Sequence, residues 1–407
     1  MSGSTRTRGN LQDIACEDIG KDGMQVPERY GATRPPGLTY QMGGCGIAGC
    51  INMAGGRISG DTIAKMLETM GERENGLGAG YACYGLFPEH RDEYCMQFFL
   101  DHEEAKSSVE ELLKSLGTIG KDEKVHTQKV KSMRPPFPMI WRYFFRPNKK
   151  LEWRGRTDLS NDDLMVQMAM HVNSDIEGAL CVSSGKDMAV FKGNGYSYEI
   201  SKFFDLGRYS GKMWLSHSRF PTNSPAWWGG AHPLSILDWS VCHNGEITSY
   251  GVNRKFVEMA GYRCSVLTDT EVVAYMWDLL VRKHQLPIPA AAFAMAPWYH
   301  LDIPRLATWL RLTYKEALLN GPFSIIVGRS EPEVTLIALA DRKKLRPLLC
   351  GRSLDGKTAY VASEECAVRV VEPNAETWTP NAGSPMIAQV GKGILRTGTE
   401  HPFVGVG

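Results

Sequence analysis

Cys45 stands in the run Gly43-Gly44-Cys45-Gly46-Ile47-Ala48-Gly49-Cys50-Ile51, a thiol framed by glycines at the head of an apolar stretch. Cutting the peptide bond after Gly44 would leave Cys45 with a free α-amine. Such an amine has a reference pKa of about 7.7–8.0, so part of it is neutral near pH 7 and can take the thiol proton. Nucleophile and base would then come from one residue. A cysteine in an apolar run is more often a small core residue, and what favours the chemical reading is the company it keeps further along the chain. In His217-Ser218-Arg219-Phe220-Pro221-Thr222 a strand should end and deliver Arg219 at its tip. A guanidinium there can grip a carboxylate through two parallel hydrogen bonds, or serve a structural ion pair. In His243-Asn244-Gly245-Glu246-Ile247 the Asn244 amide and the Gly245 N–H offer two neutral donors in one place, suited to a developing oxyanion. Asn-Gly is also a common turn dipeptide. Thr268-Asp269-Thr270-Glu271 precedes an apolar helix, and Thr268 and Glu271 have capping-box spacing. Such a cap would fix the backbone that presents an exposed Asp269 carboxylate to an ammonium group.

Together these groups describe a pocket for a free amino acid. Arg219 would meet its α-carboxylate and Asp269 its α-ammonium, while Cys45 faces a side-chain carbonyl whose oxyanion falls to Asn244 and Gly245. Glutamine fits that description.

The elements that must position these residues are legible as short apolar runs. Strands are expected at Cys45–Met53, Ala79–Leu86, Tyr94–Leu100, Leu180–Ser183, Met188–Lys192, Met213–His217, Trp239–His243, Phe323–Val327, Val334–Ala340 and Ala359–Ala362. Helical periodicity marks Asp61–Met70, Glu103–Leu116, Asp162–Val172, Arg254–Met259, Thr270–Val281 and Leu306–Leu318. Strand pairs separated by short turns point to antiparallel sheets with helices outside, rather than a doubly wound parallel sheet. The segment Lys121–Arg156 is basic, aromatic and proline-bearing, which suits either a docking insertion or a packed surface loop.

Over 407 residues, 46 lysines and arginines nearly cancel 45 aspartates and glutamates, so no global field favours nucleic acid or an anionic membrane. The ten cysteines include no Cys-x-x-Cys pair, which argues against a zinc knuckle or ferredoxin-type cluster in this chain. No stretch reads as a signal peptide or membrane span, and a reduced, cytoplasmic protein is expected. Residues 1–44 have little periodicity and read as an extension or pro-segment.

The motif set resembles the class II glutamine amidotransferases of the N-terminal nucleophile hydrolase superfamily. The matching pieces are Cys45-Gly46-Ile47-Ala48-Gly49, Arg219-Phe220-Pro221-Thr222, Asn244-Gly245 and Asp269-Thr270-Glu271, then Asp341-Arg342, Leu345-Arg346-Pro347-Leu348 and Ala362-Ser363-Glu364. The resemblance implies an α+β fold, a four-layer αββα sandwich with a long insertion at about 85–160 in a domain spanning 45–364, followed by a C-terminal tail over 365–407. It implies Cys45 as nucleophile, Asn244 and Gly245 as oxyanion donors, and Arg219, Phe220, Thr222 and Asp269 as glutamine-binding residues. Activity requires that the extension before Cys45 be removed; with it retained, a non-catalytic regulatory subunit is the alternative.

Within the family the chain most resembles the separate glutaminase subunit of split-type glutamate synthase. The residues that carry this are the opening Gly-Cys-Gly-Ile-Ala-Gly-Cys-Ile-Asn, the segment Glu72-Arg73-Glu74-Asn75-Gly76-Leu77-Gly78-Ala79-Gly80 and the aromatic run Trp141–Arg146. That layout implies no cofactor in this chain, a partner carrying flavin and iron–sulfur clusters, and a glycine-rich β-helical subunit. N-methylglutamate synthase shares the layout and is the alternative assignment. Docking is expected at the 121–156 insertion or the C-terminal tail.

Overall fold

The computed structural model describes residues 44–148, 153–220, 226–297 and 305–400. Among these, the first sheet has seven antiparallel strands in the order Glu376–Trp378, Leu349–Arg352, Thr358–Ala362, Gly46–Asn52, Met213–Ser218, Ala79–Tyr84 and Met188–Gly193. The second has six, also antiparallel: Leu234–Ile236, Trp239–Gly245, Phe323–Arg329, Thr335–Ala340, Met386–Gln389 and Gly393–Thr397.

Side chains alternate across a strand, and this sorts the cores. Along Gly46–Asn52, Ile47 and Ile51 point between the sheets, where they join Leu215, Ile326, Leu336 and Val361. Ala48 and Cys50 point the other way, into a layer built by helices Gly60–Glu68 (Ile63, Met66, Leu67), Ser197–Phe204 (Ile200, Phe203, Phe204) and Glu365–Arg369 (Ala367, Val368). Opposite, Val241, Ile325, Val327 and Leu339 on the outer face of the second sheet pack against Tyr250–Met259, Asp269–Trp277 and Ile288–Met295. Helix, sheet, sheet, helix is the expected four-layer order, because each strand is apolar on both faces and must be covered twice.

The insertion has a sheet of its own, packed against the main body through shared core. Its sheet runs Gly117–Lys124, Met139–Pro147, Tyr94–Leu100 and Ala179–Ser183, backed by helices Glu103–Leu116 and Asn161–Asp175. It extends past residue 160 because Leu100 pairs with Ala179, so Ala179–Ser183 closes the inserted sheet. Both segments expected to contribute to docking supply strands to sheets. Tyr143, Phe144 and Phe145 are fully buried, so the middle of the aromatic run is core, while Trp141 is half-buried and Arg146 is exposed at its ends. Residues 365–400, expected as a tail, supply a helix and three strands, one to the first sheet and two to the second. Among the described residues no helix is long and apolar enough to cross a membrane.

Candidate active site

Cys45 immediately precedes Gly46–Asn52, the central strand of the first sheet. That strand pairs with Met213–Ser218 in a register that sets Gly46 opposite Ser218, so the chain leaving Ser218 carries Arg219 and Phe220 past the thiol. The Phe220 N–H donates to Cys45 Sγ at 3.3 Å. Phe220 therefore meets the Cys45 thiol through its backbone, a contact that its expected place among the substrate-binding residues does not describe. Burial pushes the Cys45 thiol above its ordinary value, while the Phe220 N–H and the Arg219 and Arg346 guanidiniums pull it down. A thiol held protonated in this way needs a base beside it before it can attack. Pro221 and Thr222 lie outside the described residues.

Asn244 and Gly245 close the strand Trp239–Gly245 of the second sheet, so the oxyanion candidates and the candidate nucleophile Cys45 come from opposite sheets of the sandwich. Asn244 Oδ1 lies 4.0 Å from where a Cβ would stand on Gly44, which brings this side chain to the Gly44–Cys45 junction. The Asn244 Nδ2 is buried and has no hydrogen-bond partner among the described residues. A buried amide left in that state costs about 1–3 kcal/mol, and such an atom calls for an explanation. Phe323, opposite Gly245, directs its N–H to Asp341 Oδ2 at 3.1 Å and its carbonyl to the Asp341 N–H at 2.9 Å. In an antiparallel ladder the two residues of such a pair both turn their polar groups outward, so the Gly245 N–H points away from the neighbouring strand. Glycine is required at this position: φ is +132°, and a Cβ would lie 2.0 Å from the Pro322 carbonyl oxygen.

Arg219 is 3% exposed, and burial pulls its pKa down, with Cys45 and Asp269 both favouring its charge. The three groups thus share one electrostatic neighbourhood. Asp269, expected as an exposed carboxylate, is instead mostly covered, with 21% of its side chain accessible. It begins the helix Asp269–Trp277; Oδ2 accepts from the Ile247 N–H at 3.1 Å and Oδ1 from the Thr270 hydroxyl at 3.2 Å. Burial pushes the Asp269 carboxyl up, but His243 and these donors outweigh it and hold the group below its ordinary value, so it is ionised at neutral pH. Only half of the expected capping box forms. Thr268 Oγ1 accepts the Glu271 N–H at 3.1 Å, whereas the Glu271 carboxylate reaches further back, to the N–H groups of Ser265, Val266 and Leu267.

Some of the surroundings were not singled out from residue chemistry. Positions for a Cβ on Gly44 lie 3.6 Å from Arg73 Nη1 and 3.8 Å from Arg346 Nη1, and Arg73 is held by Glu364 at 2.6 Å. All three fall in segments noticed only as family-like strings, because nothing local distinguishes an arginine that points at a junction from one that solvates a surface. His243 is another: its Nδ1 sits 3.4 Å from Asp269 Oδ1. Among the described residues no group of three His, Cys, Asp or Glu side chains is placed to hold a metal ion.

Residues 159–273 match the family model described as glutamine amidotransferases class-II. A protein of Archaeoglobus fulgidus is 44% identical over 357 residues, 85% of this chain and 92% of that one, and carries no functional name. A protein of Methanothermobacter thermautotrophicus with a provisional glutamine amidotransferase name is 26% identical, covering 85% of this chain and 100% of its own length. The amidophosphoribosyltransferase of Methanocaldococcus jannaschii is 26% identical over 201 residues, 48% of this chain and 37% of that enzyme.

Proposed function

Since the chain belongs to the class II glutamine amidotransferases, we propose that it is a glutaminase subunit that starts, once mature, at Cys45 and releases ammonia to a separate synthase. The Cys45 thiol gives its proton to its own α-amine, and Sγ adds to the side-chain carbonyl carbon of L-glutamine. Asn244 Nδ2 and the Gly245 N–H take the oxyanion. The protonated amine returns its proton to the leaving nitrogen, which departs as ammonia and leaves a γ-glutamyl thioester. Water, deprotonated by the same amine, then releases L-glutamate and restores the thiol. Arg219, Asp269 and Thr222 hold the substrate's carboxylate and ammonium, with Phe220 fixing the thiol.

The observation that carries this reading is the Asn244 side chain at the Gly44–Cys45 junction, whose buried Nδ2 has no hydrogen-bond partner among the described residues, beside a Gly245 N–H turned away from the neighbouring strand. The test is intact mass and N-terminal sequence of the active protein, with glutamate release from wild type and from Cys45→Ala. A mature chain that begins at Cys45, and a variant with no glutaminase activity, are expected. Full activity in Cys45→Ala, or activity with Gly44 still attached, overturns the assignment.

The synthase is inferred to be of glutamate synthase type, working in the cytoplasm. The family-like strings at Gly44–Asn52, Glu72–Gly80 and Trp141–Arg146 support it. The partner would carry the flavin and iron–sulfur clusters and supply the electrons, with a glycine-rich β-helical subunit as third component. Co-purification followed by an absorbance spectrum checks this. A partner that handles sugar phosphates or nucleotides, without flavin or cluster bands, would remove the glutamate synthase assignment and leave the glutaminase standing.

A further inference from the structure

Lys192 is a lysine with almost no access to water, 2% exposed, in Met188–Gly193 at the edge of the first sheet. Its Nζ donates to the Gly229 carbonyl at 2.9 Å and the Pro233 carbonyl at 3.2 Å. It thereby ties down both ends of the segment 229–233. The middle of that segment rests on the substrate arginine: a Cβ on Gly230 would lie 3.4 Å from Arg219 Nη1. Gly80, paired with Lys192 across the strands, is what allows the approach, since a Cβ there would meet the His232 carbonyl oxygen at 2.3 Å.

Glu271 does the matching task on the other side. It is 3% exposed; Oε1 accepts from the Ser265 N–H at 2.9 Å and the Tyr275 hydroxyl at 3.0 Å, and Oε2 from the Val266 and Leu267 N–H groups at 3.0 and 3.1 Å. The loop it gathers runs directly into Thr268 and Asp269. Lys192, Gly229, Glu271, Tyr275 and Asn173 all line one pocket of about 20 Å³, room for a single water.

We propose that Lys192 and Glu271 are positioning residues that set, from behind, the spacing between Arg219 and Asp269 and so the fit of the substrate's α-carboxylate and α-ammonium. The inference rests on the glutaminase reading. Each of the two buried side chains is bonded to several backbone groups of one arm of the clamp, and both line a common pocket. Burial draws Lys192 down to about 7, with Arg219 pushing the same way and Glu271 opposing, and burial pushes Glu271 up. Such groups are costly to keep unless their geometry is used.

The test uses the mature full-length protein and its variants Lys192→Met, Lys192→Arg and Glu271→Gln. Two labels for Cys45 are compared: a diazoketone analogue of L-glutamine, which must fit the clamp, and iodoacetamide, which needs only the thiol. In Lys192→Met and Glu271→Gln the concentration for half-maximal labelling by the analogue, and KM for glutamine, should rise by about tenfold or more. The iodoacetamide rate and kcat should stay within about threefold. Lys192→Arg, which keeps a charged donor, should recover part of the loss. Half-saturation unchanged in Lys192→Met or in Glu271→Gln, where the variant melts as a folded protein, overturns the proposal, as does a parallel loss of both labels. Wild type that fails to label saturably with the analogue removes the glutaminase reading itself.

Discussion

An amide nitrogen that is buried without a hydrogen-bond partner among the described residues, as Asn244 Nδ2 is, should count in the transition state and little before it. Asn244→Ala is therefore expected to lower kcat by about 100- to 1000-fold while leaving KM for glutamine within about threefold. Steady-state kinetics on the mature protein decides it, and a kcat within tenfold of wild type would take Asn244 out of the oxyanion site. Arg219 makes the opposite expectation. A planar fork matched to a carboxylate is not replaced by a point charge, so Arg219→Lys should raise KM by tens to thousands of fold, about 2–5 kcal/mol, with a smaller change in kcat. Equal saturation by glutamine in that variant would show that the carboxylate is held elsewhere. At this scale the sequence named Cys45, Arg219, Asn244, Gly245 and Asp269 from residue type and neighbours. The burial of Asp269 under the Ile247 N–H was hidden, because that donor is 22 residues away and reaches it only across the fold.

The elements that carry these residues are braced by the insertion. Arg263, in the loop before Thr268, places its two terminal nitrogens on Asp175 at 2.7 and 2.9 Å, while Arg154 and His171 reach the same carboxylate. Its backbone N–H also donates to Met170 Sδ at 3.1 Å. The end of Asn161–Asp175 thus fastens the approach to helix Asp269–Trp277. With Asp175 about a quarter and Arg263 nearly half accessible, solvent screening limits the effect. Asp175→Asn should cost about 1 kcal/mol in urea unfolding at pH 7. The Arg263 bonds hold the folded Asp175 carboxyl well below its ordinary value of about 4, so this stability is present above that pH and fades as pH falls further. A difference between variant and wild type that stays constant from pH 7 to pH 3 would contradict the clamp. Helix Asn161–Asp175 was legible from its periodicity. Its ion pairs were not, since Asp175 and Arg263 are 88 positions apart.

Across the whole molecule, two histidines at the back of the site make folding sensitive to acid. His217 Nε2 donates to the His243 carbonyl at 2.8 Å and lies 2.8 Å from His232 Nδ1, all of it buried. Burial pulls His217 down to about 3 and His232 well below its ordinary value. An unfolded histidine titrates near 6.5, so the unfolded chain binds protons first as pH falls. The stability due to the neutral pair is complete above about 6.5 and is lost progressively toward 3, by about 2 kcal/mol per histidine at pH 5. Proton uptake on unfolding, measured calorimetrically at pH 5 in buffers of different ionisation enthalpy, should fall by about one in His232→Asn. Unchanged uptake would mean that His232 is already charged in the fold. What the sequence determined by itself is what depends on neighbours in the chain: the alternation that makes two-faced strands, the periodicity of the covering helices, the caps, and the residue types able to attack, grip and donate. The tertiary structure alone decided which of those meet. Gly46 comes to Ser218 and Arg219, and Asn244 comes from the opposite sheet, only through strand pairing and sheet stacking. Lys192 and Glu271, unremarkable as letters, become buried charges because packing removes the water around them, and that desolvation has no signature in a string of residues.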